Sequence, residues 1–446
     1  MARLRTAGVL AALALVACTP TAPTQLPTAG ATEPPATTTA AGTLAPSPSP
    51  DRLAGWRSDL DMLVPSMARI HPDLTHGVSR AALDTAVADL VAGISTSSDD
   101  ELMTGVLHVV AMVSSHGCDA HTGAFVWGTG TYPVDSLPLR LWLFRNSDGV
   151  DDVVIVDALP AYEGLIGATI DAVDGVPLSD ALRRLDPLIP RDNAQTVRLL
   201  TPRFLLIPQI LRGIGVGDGG DVTLTLKDIA DPQDVTPVPM ADYNAWAGPY
   251  GLHLPADPDV LYLSRIADAL WWQRLQDGDT LFVQYNRMDR LAQSRFNELR
   301  AELHKSDVAR VVLDLRHNFG GEVSEVDRMM GLFEDPAVDQ PDRLFVLTGR
   351  NTFSAASLLV ARLDHDTGAT IVGEAMGGCP TSYGNPEEFT LPFSGIVVSV
   401  AAMLEVGIAT DDARATIEPD IATQLTFDEW ADGSDPALGM ISTLVP

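Results

Sequence analysis

The sequence predicts an α/β protein in three parts: an N-terminal helical segment, a small β-rich domain and a C-terminal α/β domain. Three observations carry this. The apolar runs VVLDL (311–315), LFVLTG (344–349) and TIVGE (370–374) each have strand length. Between the second and third lies SAASLLVARLDHDTG (354–368), whose small and apolar residues fall at helical spacing and which ends at Gly368. Upstream, apolar stripes at helical spacing fill 51–114, and strand-like runs with turn signals fill the stretch from about Tyr132 to Leu226.

In chain order, residues 1–18 read as a targeting segment, with Arg3 and Arg5 before a short apolar run, Ala7 to Val16. That run is too short to span a membrane. It ends in LVAC (15–18), which resembles a bacterial lipobox with Cys18 as the lipidated residue. Residues 19–50 are rich in Thr, Pro and Ala and read as a tether. The expectation is an exported cell-envelope lipoprotein, held to the membrane through Cys18.

Residues 51–131 form the helical segment. Trp56, Leu60, Leu63, Val64 and Met67 share one stripe, and Pro72 in HPD (71–73) ends it. A second helix follows Ser79 as N-cap, and a third runs from Asp99 to Ser114. His71, His76 and His108 read here as structural or solvated. Gly117 ends the third helix, and AHTGAFVW then reads as a strand, leaving His121 at a helix-to-strand junction. Residues 132–229 form the β-rich domain, residues 230–278 a Pro-, Asp- and Gly-rich linker, and residues 279–446 the catalytic domain, opening on the strand DTLFVQY (279–285).

Formal charge is −30, from 29 basic and 59 acidic residues. Such acidity argues against nucleic-acid or anionic-membrane partners, whose binding is driven by Lys and Arg. No H-x-x-x-H or C-x-x-C string, P-loop or dinucleotide fingerprint is present, so no metal or cofactor is expected.

Ser354 sits just past a strand end and at a helix start, where amides have no partner of their own. That is the setting of a nucleophile turn, although the G-x-S-x-G elbow is absent. Gly320 and Gly321 follow another strand end, where glycine lets backbone approach a substrate.

The strings DLRHNFGG (314–321), GRNTFSAAS (349–357), VGEAMGG (372–378), LPFSG (391–395) and IEPD (417–420), in this order, resemble the S41-type family of tail-specific or C-terminal processing serine proteases. The resemblance implies a ClpP/crotonase-like catalytic domain, a peptide or protein substrate, Ser354 as nucleophile, and an oxyanion hole from the amide of Gly320 or Gly321 with that of Ala355. Within 132–229, the string from Ala161 to Leu182 itself resembles a PDZ core; a degenerate PDZ-like lobe that shapes the substrate entrance is expected, with a peptide-binding PDZ as the alternative. The lysine base of the tail-specific branch falls at Cys379 here, and the chain's two lysines are Lys227 and Lys305. This moves the expectation to the tricorn-like, histidine-using branch. Asp119-Ala120-His121-Thr122 resembles that branch's D-G-H-T string, so His121 is the implied base, with His317 as rival. Asp412, ahead of IEPD, is the preferred third member, with Asp119 and Glu374 as alternatives. If both resemblances hold, Cys118 and Cys379 lie near Ser354, and a disulfide between them is expected in an oxidising compartment. A binding protein on the same fold and a non-peptidase esterase are the alternative functions.

Overall fold

The computed structural model describes residues 49–127, 132–248 and 252–444. Cys18, the leader and almost all of the tether lie outside the described residues. A six-stranded sheet organises the C-terminal half. Its order is Leu270–Arg274, Thr280–Tyr285, Arg310–Asp314, Leu344–Thr348, Thr370–Gly373 and Ile421–Ala422. The first pair is antiparallel and the others are parallel. Parallel neighbours need crossovers, and the helices Gln293–Leu303, Ser324–Phe333 and Ala355–Asp366 supply them.

Successive crossovers step across the sheet in one direction, so their shared hand puts all three helices on one face. Leu281, Val283, Val311, Leu313 and Val346 pack there against Phe296, Met329 and Leu359. The alternate residues Phe282, Val312, Phe345 and Val372 point to the other face and meet Ala437 and Ile441 of the helix Pro436–Leu444. Both faces are covered, which explains why these strands read as unbroken apolar runs.

Three helices, Pro50–Ile70, Arg80–Gly93 and Asp99–Ala111, form the N-terminal lobe. Ser49, Ser79 and Ser98 cap them, and each side chain accepts a backbone N–H of the first turn. The first helix ends at Ile70, where HPD was expected to break it. The strand Gly123–Phe125 pairs antiparallel with Val397–Val400. Leu391, Ile396, Val398 and Val400 thereby join the helical lobe's core. Both oxygens of buried Asp59 accept the amides of Phe393 and Ser394 in the LPFSG turn.

The middle lobe has a hairpin, Leu139–Arg145 with Asp151–Ala158, and a four-stranded antiparallel sheet. The expected strand–turn–strand–helix appears as Ile170–Val173, Val176–Pro177 and Leu178–Leu185. Two features differ from the linear division expected. Residues 230–278 are not plain linker: they carry the helix Met240–Ala247, and Leu270–Arg274 already belongs to the catalytic sheet. Residues 387–400, expected within the catalytic domain, pair with the helical lobe instead. Pairing between positions as far apart as Gly123 and Ser399 leaves no local sequence signal.

Candidate active site

The site is built where the strand Leu344–Thr348 ends. Thr352 fixes the turn, its Oγ1 donating to Leu315 O and accepting from Gly349 N. Ser354 follows at φ +55° and ψ −131°, a conformation that side chains avoid and that costs about 1–3 kcal/mol. The helix Ala355–Asp366 begins immediately after it. Ser354 does not cap that helix with its side chain. Its Oγ lies 3.1 Å from Nε2 of His121 instead.

His121 arrives from the other half of the molecule. Its Nδ1 is 3.0 Å from the carbonyl oxygen of Tyr383. A carbonyl only accepts, so Nδ1 carries the proton and Nε2 offers its lone pair to Ser354. Its ring stacks on Phe353, with centroids 4.7 Å apart. Burial pushes the imidazole below its ordinary range, outweighing the opposing fields of Asp119 and the Tyr383 carbonyl.

Gly320 lies against this turn at φ +92°. A Cβ there would stand 2.7 Å from Ser354 Cβ and 2.8 Å from Ala355 N. The two glycine amides are not equivalent. Gly320 donates to Asn318 Oδ1 at 2.9 Å. The Gly321 amide, and that of Ala355 at the helix start, have no acceptor among the described residues. Substituting Gly320→Ala both clashes and strains the turn, and is expected to lower reaction at Ser354 by about a hundredfold or more. Labelling kinetics with a serine-reactive probe check this; a wild-type rate would show that the turn tolerates a methyl group.

Cys118 and Cys379 form a disulfide, with Cα atoms 5.4 Å apart. Buried Asp192 laces the same junction. Its Oδ1 accepts from Ala120 N at 2.7 Å and its Oδ2 from Cys379 N at 3.1 Å, while its carbonyl accepts from Cys118 N. Burial pushes its carboxyl up to about 7 despite those two amide bonds.

Other expected residues are placed elsewhere. Asp412 does not meet His121: Arg414, two residues on, binds it at 2.9 Å, and the Tyr383 carbonyl already occupies Nδ1. Glu374 is partly buried, in an ion pair with Arg350 at 2.9 Å. His317 lines a separate cavity with Trp142, Tyr262 and Arg350, and burial pushes it down to about 4. Ser357 Oγ donates to Thr352 O, and Lys305 pairs with Glu302 at the surface. Sequence reasoning missed Tyr383, which acts through its backbone; Asn318, whose polar side chain next to GG was the available signal; and Asp192.

A serine hydroxyl on a strained turn, an imidazole with its lone pair aimed at it and two free amides beside it define a serine-type hydrolase. Residues 279–343 match the model of Peptidase family S41, which covers the first parallel strands of the sheet. The fold is similar to that of mature CPAF, with a TM-score of 0.56 and 13% identity over 88% of this chain and 96% of that one. CPAF complexed with lactacystin gives 0.58 and 13% over 88% and 97%. No curated protein matches the sequence. The family match lies within the six-stranded sheet, and the likeness in fold reaches over most of the chain.

Proposed function

We propose that the chain cleaves peptide bonds as a histidine-using S41 peptidase, with Ser354 as nucleophile and His121 as general base. The observation that carries this is the tautomer: Nδ1–H is spent on the Tyr383 carbonyl, so Nε2 is the acceptor facing the Ser354 hydroxyl. In the reaction Ser354 Oγ attacks the scissile carbonyl carbon as its proton passes to His121 Nε2. The resulting oxyanion is received by the amides of Gly321 and Ala355, and His121 returns the proton to the leaving amine. Water, deprotonated by the same nitrogen, then releases the acyl group.

A fluorophosphonate probe tests the assignment. Stoichiometric labelling of the wild type, abolished in Ser354→Ala, is expected; an unlabelled wild type would favour a binding protein on this fold. Turnover of peptides supports the peptidase, and turnover of esters alone would favour the esterase. The leader and tether support an exported lipoprotein anchored through Cys18. A Cys18→Ala variant is expected to leave the membrane fraction, and undiminished retention would reject the anchor.

A further inference from the structure

The proposed base has no carboxylate on Nδ1, yet an ionisable group stands two residues away. Asp119 is fully buried, and its Oδ2 lies 3.1 Å from His71 Nε2 and 3.0 Å from His76 Nε2. The two imidazoles are near-parallel, 5.5 Å apart, and both pack on the Tyr383 ring, at 4.7 and 4.5 Å. Tyr383 is the residue whose carbonyl holds His121, and its amide donates to Cys118 O at 2.9 Å. One cluster therefore grips both the anion beside His121 and the backbone group that orients it.

Two histidines and an aspartate also suggest a metal site, since their donor atoms lie within 4.8 Å of one another. The tautomer of His71 opposes it. Asp73 N–H donates to His71 Nδ1 at 3.0 Å, so the ring's proton sits on Nε2, the nitrogen a metal would need. That N–H is instead a donor to Asp119. Two such donors hold the carboxyl below its ordinary range against the opposing effect of burial.

We propose that Asp119, clasped by His71 and His76, is a positioning residue that takes the place of a triad carboxylate: it sets a fixed negative charge beside His121 while the clasp locks Tyr383. This rests on His121 being the general base. The charge acts through space, and Asp119 raises the affinity of His121 for a proton. Asp192, the other buried acid at this junction, faces Asp119 and is itself driven towards neutrality by burial.

The test reads His121 directly, by NMR titration of its imidazole in the full chain, alongside the pH profile of fluorophosphonate labelling. In Asp119→Asn the titration midpoint of His121 is expected to fall, because the field that favoured the proton is gone. The acid limb of labelling should move to lower pH with it, while the plateau rate drops about tenfold to a hundredfold. A lowered plateau with neither midpoint nor limb moved would mean packing alone and overturn the proposal. Should Asp119→Asn fail to fold, His76→Phe at its partly buried position keeps a ring on Tyr383 and removes one donor. It is expected to slow labelling several-fold with thermal stability retained, and an unchanged rate would count against the clasp. Loss of labelling in a chelator, restored by zinc, would reassign the cluster as a metal site. If the wild type labels at Ser354 but His121→Ala does so equally fast, the general-base reading fails separately, whatever the titration shows.

Discussion

Ser354→Ala and His121→Ala are each expected to lower peptide turnover by several orders of magnitude, with the double variant no slower than the worse single one. Residues that act as a unit lose their joint effect once either is gone. The arrangement makes the unit plain: His121 Nε2 has the Ser354 hydroxyl at 3.1 Å, and its other nitrogen is occupied by Tyr383 O. Lys305→Ala, at a surface pair with Glu302, should leave turnover within error. The pH profile gives a second reading. As the proposed base, His121 must be neutral to accept a proton, and burial lowers it from the ordinary 6.5. Activity should therefore rise with pH through a limb lying below 6.5 and be fully developed at neutrality. Steady-state kinetics from pH 4 to 8 check both statements. Additive losses in the double variant, or a limb above 6.5, would break the pairing of Ser354 with His121.

What could be read from the chain and what could not divide along a physical line. The catalytic strands were legible because both their faces are buried, which writes continuous apolar runs, and the helix after Ser354 because its periodicity is local. Ser354 and His121 were reached through motif order, although they are 233 positions apart. The orienting group was not legible. It is the backbone carbonyl of Tyr383, and every residue has a carbonyl. Asp412 was a reasonable choice by position, yet Arg414 on the same loop claims it, a competition that depends on loop conformation. His71 and His76 looked unremarkable singly, because neither Nε2 has meaning until Asp119 is brought between them. Asp192 was hidden likewise: its role depends on two amides, one from each end of the molecule.

Removing the Cys118–Cys379 bridge is expected to impair stability and rate together. The two cysteines are 261 residues apart, and closing so long a loop withholds chain entropy from the unfolded state worth about 5 kcal/mol at most. The local consequence is sharper. Cys118 lies three residues before His121, and Cys379 follows the segment whose Gly377 and Gly378 amides both bond Thr352 O in the nucleophile turn. The bridge thus ties the imidazole's segment to the hydroxyl's. Asp192 keeps some of that connection when the sulfurs part, through its bonds to Ala120 N and Cys379 N, so the folded site should loosen rather than scatter. A Cys118→Ala, Cys379→Ala double variant, or the wild type under reductant, is expected to unfold at lower urea and to lose up to about a hundredfold in kcat/KM, the cost of a small misplacement of a base. Paired substitution avoids leaving a lone buried thiol. Urea melts and steady-state kinetics with and without reductant measure both effects. The oxidised and reduced proteins matching in midpoint and in rate, or two thiols titrating in the unfolded, unreduced chain, would remove the bridge from the account of this site.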